Sequence, residues 1–461
     1  MTINNCKGQI KMKRYSTLRR VMLPGVALTA LLSACTFEQE DYFDESAALR
    51  IQHVNEDIKA TLSSASAEHG WLIQYYVAGT DDYSFEGFNL FGKFYETGKV
   101  TLSGNHRFLR NGKAGNFTEY TSYYQMLAEE GPVLCFNTWN DILSVFVDPV
   151  DPSAAPASLV DDGEGMNGDD RLVVISYNSD EILLRGERHS APVRMVRLDK
   201  SPEEYLQLTE AAKAIFANGK IDEYRLTNGT NTRFISGLSK GYFDYVDRLD
   251  DPLDKVSQSC VFATGGFRLK NPIALGNDTV QEFTLDLDNE RLVSGNVEMF
   301  PCWERFVKKQ VATSGTISIT ADGACDAFAS LFNKLASDIT AQFSTQTFSH
   351  LSFGRSGETG SNQRSGLTFY SNTSRRTYIT GFGGTISYDD ATNELSINVD
   401  PNDPSSNFNG YSNKGIGSSF TDIVNALNGT YSVTVNSTFG PKTAKCVKKN
   451  DSSFYFQINF K

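Results

Sequence analysis

The sequence predicts a mainly β protein of the α+β class. Short runs rich in Thr, Val, Tyr and Phe recur along the 461 residues, and aromatic residues make up 12% of the chain. Gly, Asn and Asp clusters separate these runs, which is typical of antiparallel sheet. A few amphipathic segments add packing helices. We therefore expect an antiparallel meander or barrel-like N-terminal domain, followed by a β-rich C-terminal region with a few amphipathic packing helices.

The N-terminal domain is predicted to begin with one helix and to continue as strands. Apolar residues at spacings of three or four form a single stripe between Ala47 and Leu62, which predicts a helix that docks on the first sheet. The predicted strands are 70–76, 88–94, 99–102, 131–136, 143–147, 172–177 and 181–185. Sequential antiparallel strands can curl into a small barrel or half-barrel whose mouth holds a ligand.

A domain boundary is expected near residue 200. Ser201 is a good N-cap, Pro202 suits the first helical position, and acidic residues follow in the first turn. The expected inner face of this helix consists of Tyr205, Leu208, Ala212, Ile215 and Phe216. The sequence thus predicts an N-terminal β domain at 46–200 and a C-terminal β-rich domain at 201–461, with a candidate division into two subdomains near 310.

Further hairpins and two helices are predicted in the C-terminal region. Hairpins are expected at 283–293 and 385–399, and closing strands at 430–436 and 453–460. A short helix is expected at 420–428. Another amphipathic helix is indicated by an apolar stripe made of Phe328, Leu331, Phe332, Leu335 and Ile339.

The first 45 residues predict a lipid anchor. Residues 1–34 contain six basic residues and no acidic ones, then an apolar run that ends at Leu32-Ser33-Ala34-Cys35. This run is too short to span a bilayer, which needs about 20 apolar residues, and its end looks like the lipobox of bacterial lipoproteins. We expect residues 1–34 to be a lipoprotein signal peptide, Cys35 to carry the lipid, and the acidic residues 35–45 to form a tether.

Charge and cysteine content exclude several classes of protein. Removing the six basic residues of the signal from 43 leaves 37 against 55 acidic residues, a net charge of −18, so no nucleic-acid partner is expected. Five cysteines would remain besides the lipidated one, with no C-x-x-C pair among them. The sequence therefore predicts neither a disulfide framework nor a cysteine-based zinc site.

No catalytic or cofactor motif is convincing, and we predict no catalytic residue, cofactor or metal. Gly237-Leu238-Ser239-Lys240-Gly241 fits the nucleophile elbow, with His350 downstream, but its flanks indicate a hairpin turn rather than the required strand and helix. Oxygen-rich clusters remain open as calcium ligands or as solvated turns. These clusters are Asp161, Asp162, Glu164, Asp169 and Asp170, and Asp400, Asn402 and Asp403.

Aromatic side chains are the candidate ligand-binding residues. Trp71, Trp139 and Trp303 could stack on sugar rings, because flat side chains offer contact area at low entropic cost. Tyrosines that could contribute are Tyr83, Tyr120, Tyr123 and Tyr124. Core packing is the preferred interpretation for Trp71 and Trp139, since each lies in a strand-like run and aromatic residues favour half-buried pleated surfaces.

Residues 35–200 contain four motifs that can be compared with a known family: Phe43-Asp44-Glu45-Ser46, Gly70-Trp71, Gly131-Pro132-Val133-Leu134 and Leu184-Arg185-Gly186-Glu187-Arg188-His189. These motifs resemble an uncharacterised family of Bacteroidetes surface lipoproteins associated with starch-utilisation-type nutrient-uptake systems. The acidic residues after Cys35 also resemble an export signal to the outer face of the outer membrane. The resemblance implies a surface-anchored accessory protein with no catalytic residues to carry over.

From these observations we expect a non-enzymatic lipoprotein of the outer-membrane surface. It would bind a nutrient, in the first place a glycan, or dock on an outer-membrane transporter complex. Two alternatives stay open at this point. One is an adhesin or surface-fibre component, and the other is a hydrolase with an unrecognised carboxylate pair.

Overall fold

Three antiparallel sheets dominate the structure, a computed structural model that describes residues 45–78, 85–148, 166–218, 221–354 and 364–461. The predicted signal peptide, the lipidation site Cys35, nearly all of the tether and Tyr83 lie outside the described residues. The chain is 43% strand and 22% helix, which confirms the predicted mainly β class. Residues 51–461 form one compact unit; the proposed division at residue 200 stays a prediction.

A nine-stranded sheet begins the fold, in the order β4-β3-β2-β1-β9-β8-β7-β6-β5. Its strands are β1 Trp71–Tyr75, β2 Phe88–Phe94, β3 Lys99–Gly104, β4 Thr118–Tyr123, β5 Gln125–Ala128, β6 Pro132–Cys135, β7 Arg171–Tyr177, β8 Glu181–Gly186 and β9 Pro192–Arg197. Strands β1 and β9 pair in the middle, so two meanders share one sheet. The edge strands β4 and β5 are separated along the chain by Tyr124 alone. The sheet must therefore curl until its edges meet, because two residues span about 7 Å at most.

The inner face of this sheet holds the first core. Helix α1, Ala47–Ser66, supplies Ile58 and Leu62 to it, as the apolar stripe predicts. Along β2 the alternate residues Phe88, Leu90 and Phe94 are buried, because successive side chains of a strand point to opposite faces.

The predicted strand at 143–147 is wrong, since the chain forms a short helix there, α2 Ser144–Val147. The amide groups of Leu143 and Ser144 donate to the carbonyl of Asn140 at 3.0 and 2.7 Å. The side-chain oxygen of Asn140 also accepts from the amide of Ile142 at 3.0 Å. An Asn side chain that bonds to the backbone just after it favours a turn over a strand, while Val145 and Phe146 still reach the core.

Helix α3, Pro202–Asn218, follows the sheet where the sequence predicts it. The Ser201 hydroxyl accepts from the amide of Glu204 at 3.2 Å, which confirms the N-cap. The inner face differs from the prediction at one position. Leu208 is exposed and Leu206 is buried instead, because the helix packs between the first sheet and the following barrel.

The first closed barrel contains eight strands in sequence order. They are β10 Glu223–Thr227, β11 Thr232–Ser236, β12 Tyr242–Val246, β13 Lys255–Ala263, β14 Gly266–Leu275, β15 Asp278–Asp286, β16 Arg291–Ser294 and β17 Val297–Pro301. Pairing of β10 with β17 closes it. A 3₁₀ turn at Leu238–Lys240 joins β11 to β12. Apolar side chains fill the interior together with Phe216 of α3, so the barrel is a packed core.

A second closed barrel ends the chain. Its strands are β18 Ile317–Ile319, β19 Thr347–Phe353, β20 Leu367–Asn372, β21 Thr377–Asp389, β22 Glu394–Pro404, β23 Gly429–Val435, β24 Thr443–Lys448 and β25 Tyr455–Phe460. Its helices are α4 Trp303–Ala312, α5 Asp326–Gln342, α6 Phe408–Ser412 and α7 Gly417–Leu427. Helix α5 buries Phe328, Phe332, Leu335 and Ile339 in the barrel core, as its apolar stripe predicts.

Candidate functional site

Trp71 is a core residue. Its side chain is 0% exposed, and the indole nitrogen donates to the carbonyl of Leu62 in α1 at 3.0 Å. Tyr124 is buried as well, and its hydroxyl donates to the carbonyl of Tyr95 at 3.1 Å. Neither side chain offers a ring face to a ligand in this fold, so the core-packing interpretation applies to both.

Trp303 is only partly buried. It is the first residue of α4 and packs against the core of the second barrel. It therefore packs with the second barrel, whereas Trp71 is in the core of the first sheet. The three tryptophans therefore do not form one binding surface.

Trp139 lies on an exposed aromatic surface of the first sheet. Trp139 is 44% exposed, Tyr120 is 36% exposed and Tyr123 is 49% exposed. Tyr120 and Tyr123 are three residues apart on β4, so their side chains point to opposite faces of that strand. We call Trp139, together with these exposed rings on the two faces of the adjacent strand, the aromatic surface. The amide of Tyr123 donates to the Thr138 hydroxyl at 2.9 Å, and the Asn140 side-chain amide donates to the Tyr120 carbonyl at 3.2 Å. These bonds hold the residues around Trp139 against edge strand β4.

The Trp139 ring is fixed in orientation by two neighbours. The indole nitrogen donates to a carboxylate oxygen of Asp141 at 2.7 Å. The guanidinium of Arg110 lies 4.6 Å from the ring centroid, within the range of a cation–π contact. Arg110 also forms an ion pair of 2.8 Å with Asp148. An exposed ring that is held in place can accept a flat ligand without first losing side-chain freedom.

A separate cleft of about 760 Å³ lies where the first sheet, α3 and the first barrel meet. Its walls are formed by the start of β2, by the connection between β3 and β4, by α3, and by the turn and strand at 239–242. The amide of Gly87 donates to the carbonyl of Cys260 at 2.9 Å, and the Asn89 side-chain amide donates to the carbonyl of Phe262 at 2.8 Å. These bonds join the sheet to strand β13 of the barrel.

Close backbone approach also shapes this cleft. Gly241 has φ +76°, a left-handed conformation, and a Cβ atom there would lie 2.6 Å from the Cβ of Glu86. Only glycine satisfies both conditions without strain. The two walls therefore touch at this point.

His106 lines the cleft from the β3–β4 connection. The residue is 8% exposed, and burial lowers the pKa of its imidazole to about 4. Its Nε2 lies 3.0 Å from the carbonyl oxygen of Ile142. Since a carbonyl only accepts, Nε2 carries the proton and Nδ1 is an acceptor. The ring packs against Phe146, with centroids 4.7 Å apart.

The remaining candidate motifs are structural. Gly237 and Gly241 flank the 3₁₀ turn with positive φ, and the amide of Ser239 donates to a carboxylate oxygen of Asp222 at 2.8 Å. This confirms the predicted hairpin turn. His350 lies on β19 of the second barrel, stacked on Tyr370 with centroids 4.6 Å apart, and so belongs to a different sheet.

The described members of the acidic clusters are bonded within the protein. Asp169 and Asp170 lie just before β7, whereas Asp400, Asn402 and Asp403 lie in β22 and not in a turn. The carboxylate of Asp169 is buried and accepts from the amides of Arg188 and His189 at 3.1 Å each. Asp400 accepts from the amide of Asn402 at 2.8 Å. Asp161, Asp162 and Glu164 lie outside the described residues. Within the described ranges, no group of three or more His, Cys, Asp or Glu side chains could hold a metal ion.

The five cysteines in the described residues are free thiols, and all are buried. They are Cys135, Cys260, Cys302, Cys325 and Cys446. Burial raises the pKa of the Cys302 thiol to about 12 and that of Cys260 further above its usual value. A thiol that stays protonated is a poor nucleophile. These residues are therefore core side chains.

The geometry defines a mainly β protein with two separate candidate binding surfaces, the aromatic surface and the cleft. The family described as "Domain of unknown function (DUF4302)" matches residues 39–287, more than half of the chain. The chain belongs to this family. The match includes both candidate surfaces and most of the first barrel.

Curated proteins and solved structures give no further indication of function. No curated protein matches the chain. A solved structure of "Caulobacter crescentus pol III beta" aligns with 9% identity over 87% of this chain and 95% of that chain, with a TM-score of 0.10. So low a score carries no argument about fold or function. In the described part of the chain, no helix is both long and apolar enough to cross a membrane.

Sequence reasoning missed the cleft. Its residues come from five separate parts of the chain. Only one of these parts, Ser239 to Gly241, belongs to a recognisable motif, the G-x-S-x-G pattern, and that pattern indicates a turn. The aromatic composition of the sequence did point to Trp139, Tyr120 and Tyr123, but it did not separate these exposed rings from the buried Trp71 and Tyr124. Burial in the tertiary structure distinguishes them, and it makes core packing the wrong interpretation for Trp139.

Proposed function

We propose that this protein is a non-enzymatic lipoprotein, anchored through Cys35 in the outer membrane and exposed at the cell surface, that binds a glycan for a nutrient-uptake system. The Leu-Ser-Ala-Cys sequence and the acidic residues that follow it support the anchor. Covalent lipid gives stable anchoring when more than one chain is attached. The transporter complex of such a system is the protein partner that this proposal implies.

The single observation behind glycan binding is the exposed Trp139 ring, which Asp141 and Arg110 hold in place beside two exposed tyrosines of the adjacent strand. Trp139, Tyr120 and Tyr123 are all exposed although each would gain free energy by burial. Aromatic rings give large contact area with few rotatable bonds, and exposed aromatic residues in one region are typical of binding surfaces. Arg110 covers one part of the Trp139 ring and leaves the exposed part to a ligand.

A carbohydrate ring can use both its apolar C–H groups and its hydroxyl groups to bind such a surface. The C–H groups of a pyranose pack on an aromatic face, and its hydroxyl groups bond to polar neighbours. Asp141 and Thr138 supply such neighbours beside Trp139. We therefore place the first glycan contact at the aromatic surface.

The test is a screen of the full chain, purified in detergent, on an array of polysaccharides and oligosaccharides, with tryptophan fluorescence to measure each hit. Trp139→Ala should abolish the fluorescence change and weaken binding about two- to tenfold, by analogy with aromatic contacts worth about 0.5–1.5 kcal/mol. Tyr378→Ala is the matched control, because Tyr378 is an exposed aromatic of the second barrel. Binding to no glycan would overturn the proposal, and equal binding by Trp139→Ala would overturn the assigned surface.

A further inference from the structure

Strands β2, β3 and β4 present a row of side chains on the outer face of the first sheet. The register pairs Ser103 of β3 with Phe91 of β2 and with Glu119 of β4. Residues directly opposite each other in a sheet point to the same face, and Phe91 packs on Tyr205 of α3 with ring centroids 5.8 Å apart. This row therefore lies on the face toward α3, while the neighbouring Leu102 points into the first core.

Two further rows continue this face along the same strands. Their members are Lys93, Thr101 and Thr121, and then Tyr95, Lys99 and Tyr123. The amide of Tyr95 donates to the carbonyl of Lys99 at 2.9 Å, so the register continues to the end of the β2–β3 hairpin. Successive rows are two residues apart, and the three rows together span about 14 Å. We call these three rows the outer track.

A pocket of about 140 Å³ closes one end of the outer track. It lies between the first row and the start of α3. Its polar lining consists of His69, Lys93, Thr101, Ser103, Glu119, Ser201 and Glu203. Sites for whole small molecules usually measure roughly 300–1,000 Å³. The pocket therefore suits the end of a chain-like ligand rather than a complete oligosaccharide.

Ser103 is the buried polar residue of this pocket. The residue is 4% exposed, and its hydroxyl forms no hydrogen bond with any part of the chain that the structure describes. The hydroxyl oxygen is nevertheless not one of the fully enclosed polar atoms of those residues. A buried polar group without a partner costs free energy. The Ser103 hydroxyl is thus reachable from the pocket and calls for a partner there.

Charged groups of both signs are unpaired around the pocket. Lys93 is a cation, and Glu119 and Glu203 are anions. None of the three forms an ion pair or a side-chain hydrogen bond with a described residue. One cation against two anions disfavours an anionic ligand. Donors and acceptors side by side suit the hydroxyl groups of a neutral sugar, because each hydroxyl both donates and accepts.

The far end of the outer track supplies aromatic contact. Tyr95 is 40% exposed and Tyr123 is 49% exposed, one on each side of Lys99. Such rings offer contact area to the C–H face of a sugar. Between the two ends, the hydroxyl oxygens of Thr101 and Thr121 are 2.9 Å apart. Only one proton lies between these oxygens, so the other is left to donate to a ligand.

We propose that the outer track binds a neutral linear oligosaccharide. Its terminal ring occupies the pocket and bonds to Ser103, Glu119 and Lys93, and the following rings lie along the strands toward Tyr123. The proposal rests on the proposed glycan-binding function and names the class of its ligand. The outer track meets the aromatic surface at Tyr123, whereas Trp139 is not part of it.

The experiment measures binding by titration calorimetry to the full chain in detergent. The probes are maltotriose, cellotriose, laminaritriose, mannotriose and xylotriose, with trigalacturonic acid as the anionic trisaccharide. At least one neutral trisaccharide should bind, about tenfold more tightly than the acid, because the acid meets two unpaired carboxylates. Affinity for longer chains of the same linkage should stop rising once the chain exceeds the track of about 14 Å.

Variants of the pocket and the strands test the assigned residues. Glu119→Gln should weaken binding of that trisaccharide about five- to tenfold, because a charge-assisted hydrogen bond becomes a neutral one. Ser103→Ala should weaken it about two- to tenfold, the usual range for a neutral hydrogen bond. Thr121→Ala should weaken it by a similar factor. Thr434→Ala is the matched control, at an exposed threonine in the middle of β23, and should leave binding unchanged.

Stability separates a ligand-binding role of Ser103 from a structural one. Its hydroxyl has no partner within the described chain, so Ser103→Ala should leave the urea midpoint of the free protein unchanged or raise it. A lower midpoint in Ser103→Ala would mean that the hydroxyl stabilises the fold, and would overturn its assignment to the ligand.

Several outcomes would overturn the inference: no binding by any neutral trisaccharide, equal binding by Ser103→Ala and Glu119→Gln, or equally tight binding of trigalacturonic acid. The proposed function fails separately. Binding that Trp139→Ala loses and both pocket variants keep would overturn the outer track and leave glycan binding in place. Binding that both pocket variants lose and Trp139→Ala keeps would support the outer track and overturn the role of Trp139. Binding to no glycan at all would overturn both proposals.

Discussion

The guanidinium of Arg110 lies 4.6 Å from the centre of the Trp139 ring. The arginine comes from the β3–β4 connection and the tryptophan from the segment after β6, so the contact joins two parts of the chain that are separate in sequence. Arg110 is held in turn by its ion pair with Asp148. An exposed aromatic ring is thereby fixed in one orientation on the outer edge of the first sheet.

Arg110→Ala should weaken glycan binding at the aromatic surface about two- to fivefold, the equivalent of a surface cation–π contact of about 0.5–1 kcal/mol. The physical reason is that a free Trp139 ring must lose rotational freedom when the ligand binds. Fluorescence titration with a glycan identified on the array measures the change. Arg375→Ala, at an exposed arginine of the second barrel, is the control, and an effect of equal size there would contradict the explanation.

Trp71 and Trp139 should differ sharply in their effect on stability. Trp71→Ala removes a fully buried side chain and the donor to Leu62, so the free energy of unfolding should fall by about 3–5 kcal/mol. Trp139→Ala changes an exposed residue and should cost about 1 kcal/mol or less. Urea unfolding followed by circular dichroism compares the two variants. Equal losses would show that Trp139 is part of the core.

The stability of the protein should fall on acidification because of His106. Its pKa is about 4 in the folded chain against about 6.5 in an unfolded chain, so the unfolded state binds more protons between these values. The stabilisation is present above about pH 6.5 and is lost as the pH falls toward about 4. Between about pH 7 and about pH 5 the loss should be about 2 kcal/mol.

The control for this prediction is His106→Phe, which keeps an aromatic ring beside Phe146 but cannot bind a proton. The variant starts from a lower stability, since the carbonyl of Ile142 loses its donor. Its unfolding free energy should nevertheless change less with pH than that of the unmodified protein. His350 shifts in the same direction, but it is partly exposed and should contribute less. An unchanged pH dependence in His106→Phe would contradict the assignment.

Gly241→Ala should destabilise the protein more than Gly229→Ala. Both glycines have positive φ, +76° and +84°, and each alanine should cost about 1–2 kcal/mol for that reason. Only at Gly241 does the added Cβ meet another atom, the Cβ of Glu86 at 2.6 Å, whereas Gly229 faces open space. The difference of about 1–3 kcal/mol expected from overpacking is read from urea midpoints. Equal urea midpoints for the two variants would mean that Glu86 can move away from the added Cβ at no cost in stability.

Cys35→Ser should release the protein from the membrane. The thioether that carries the lipid cannot form on serine, and the hydrocarbon contribution of about 0.8 kcal/mol per buried CH₂ is lost with it. Detergent phase separation and surface labelling of whole cells measure the partition. Cys6→Ser is the control, since Cys6 lies upstream of the predicted cleavage site. Membrane retention of Cys35→Ser would argue against the anchor.

Local sequence signals determined about half of the strands and four of the seven α-helices of the described chain, α1, α3, α5 and α7. The apolar stripes of α1 and α5, the N-cap at Ser201 and the alternation along β2 depend on neighbours within a few residues, and all are present in the structure. The strand predicted at 143–147 was wrong because an apolar run of four or five residues suits a buried strand and a short helix equally. The hydrogen bonds of Asn140 decided between them.

The sequence by itself therefore determined the mainly β class, the positions of about half of the strands and the aromatic residues worth testing. The tertiary structure decided how the strands join: β1 pairs with β9 across more than a hundred residues, and two barrels close through β10–β17 and β18–β25. It also decided that Trp71 is buried while Trp139 is exposed, and it brought His106, Asn89, Lys213 and Lys240 into one cleft. Burial and long-range pairing depend on the simultaneous packing of distant segments, and no local pattern of residues encodes that.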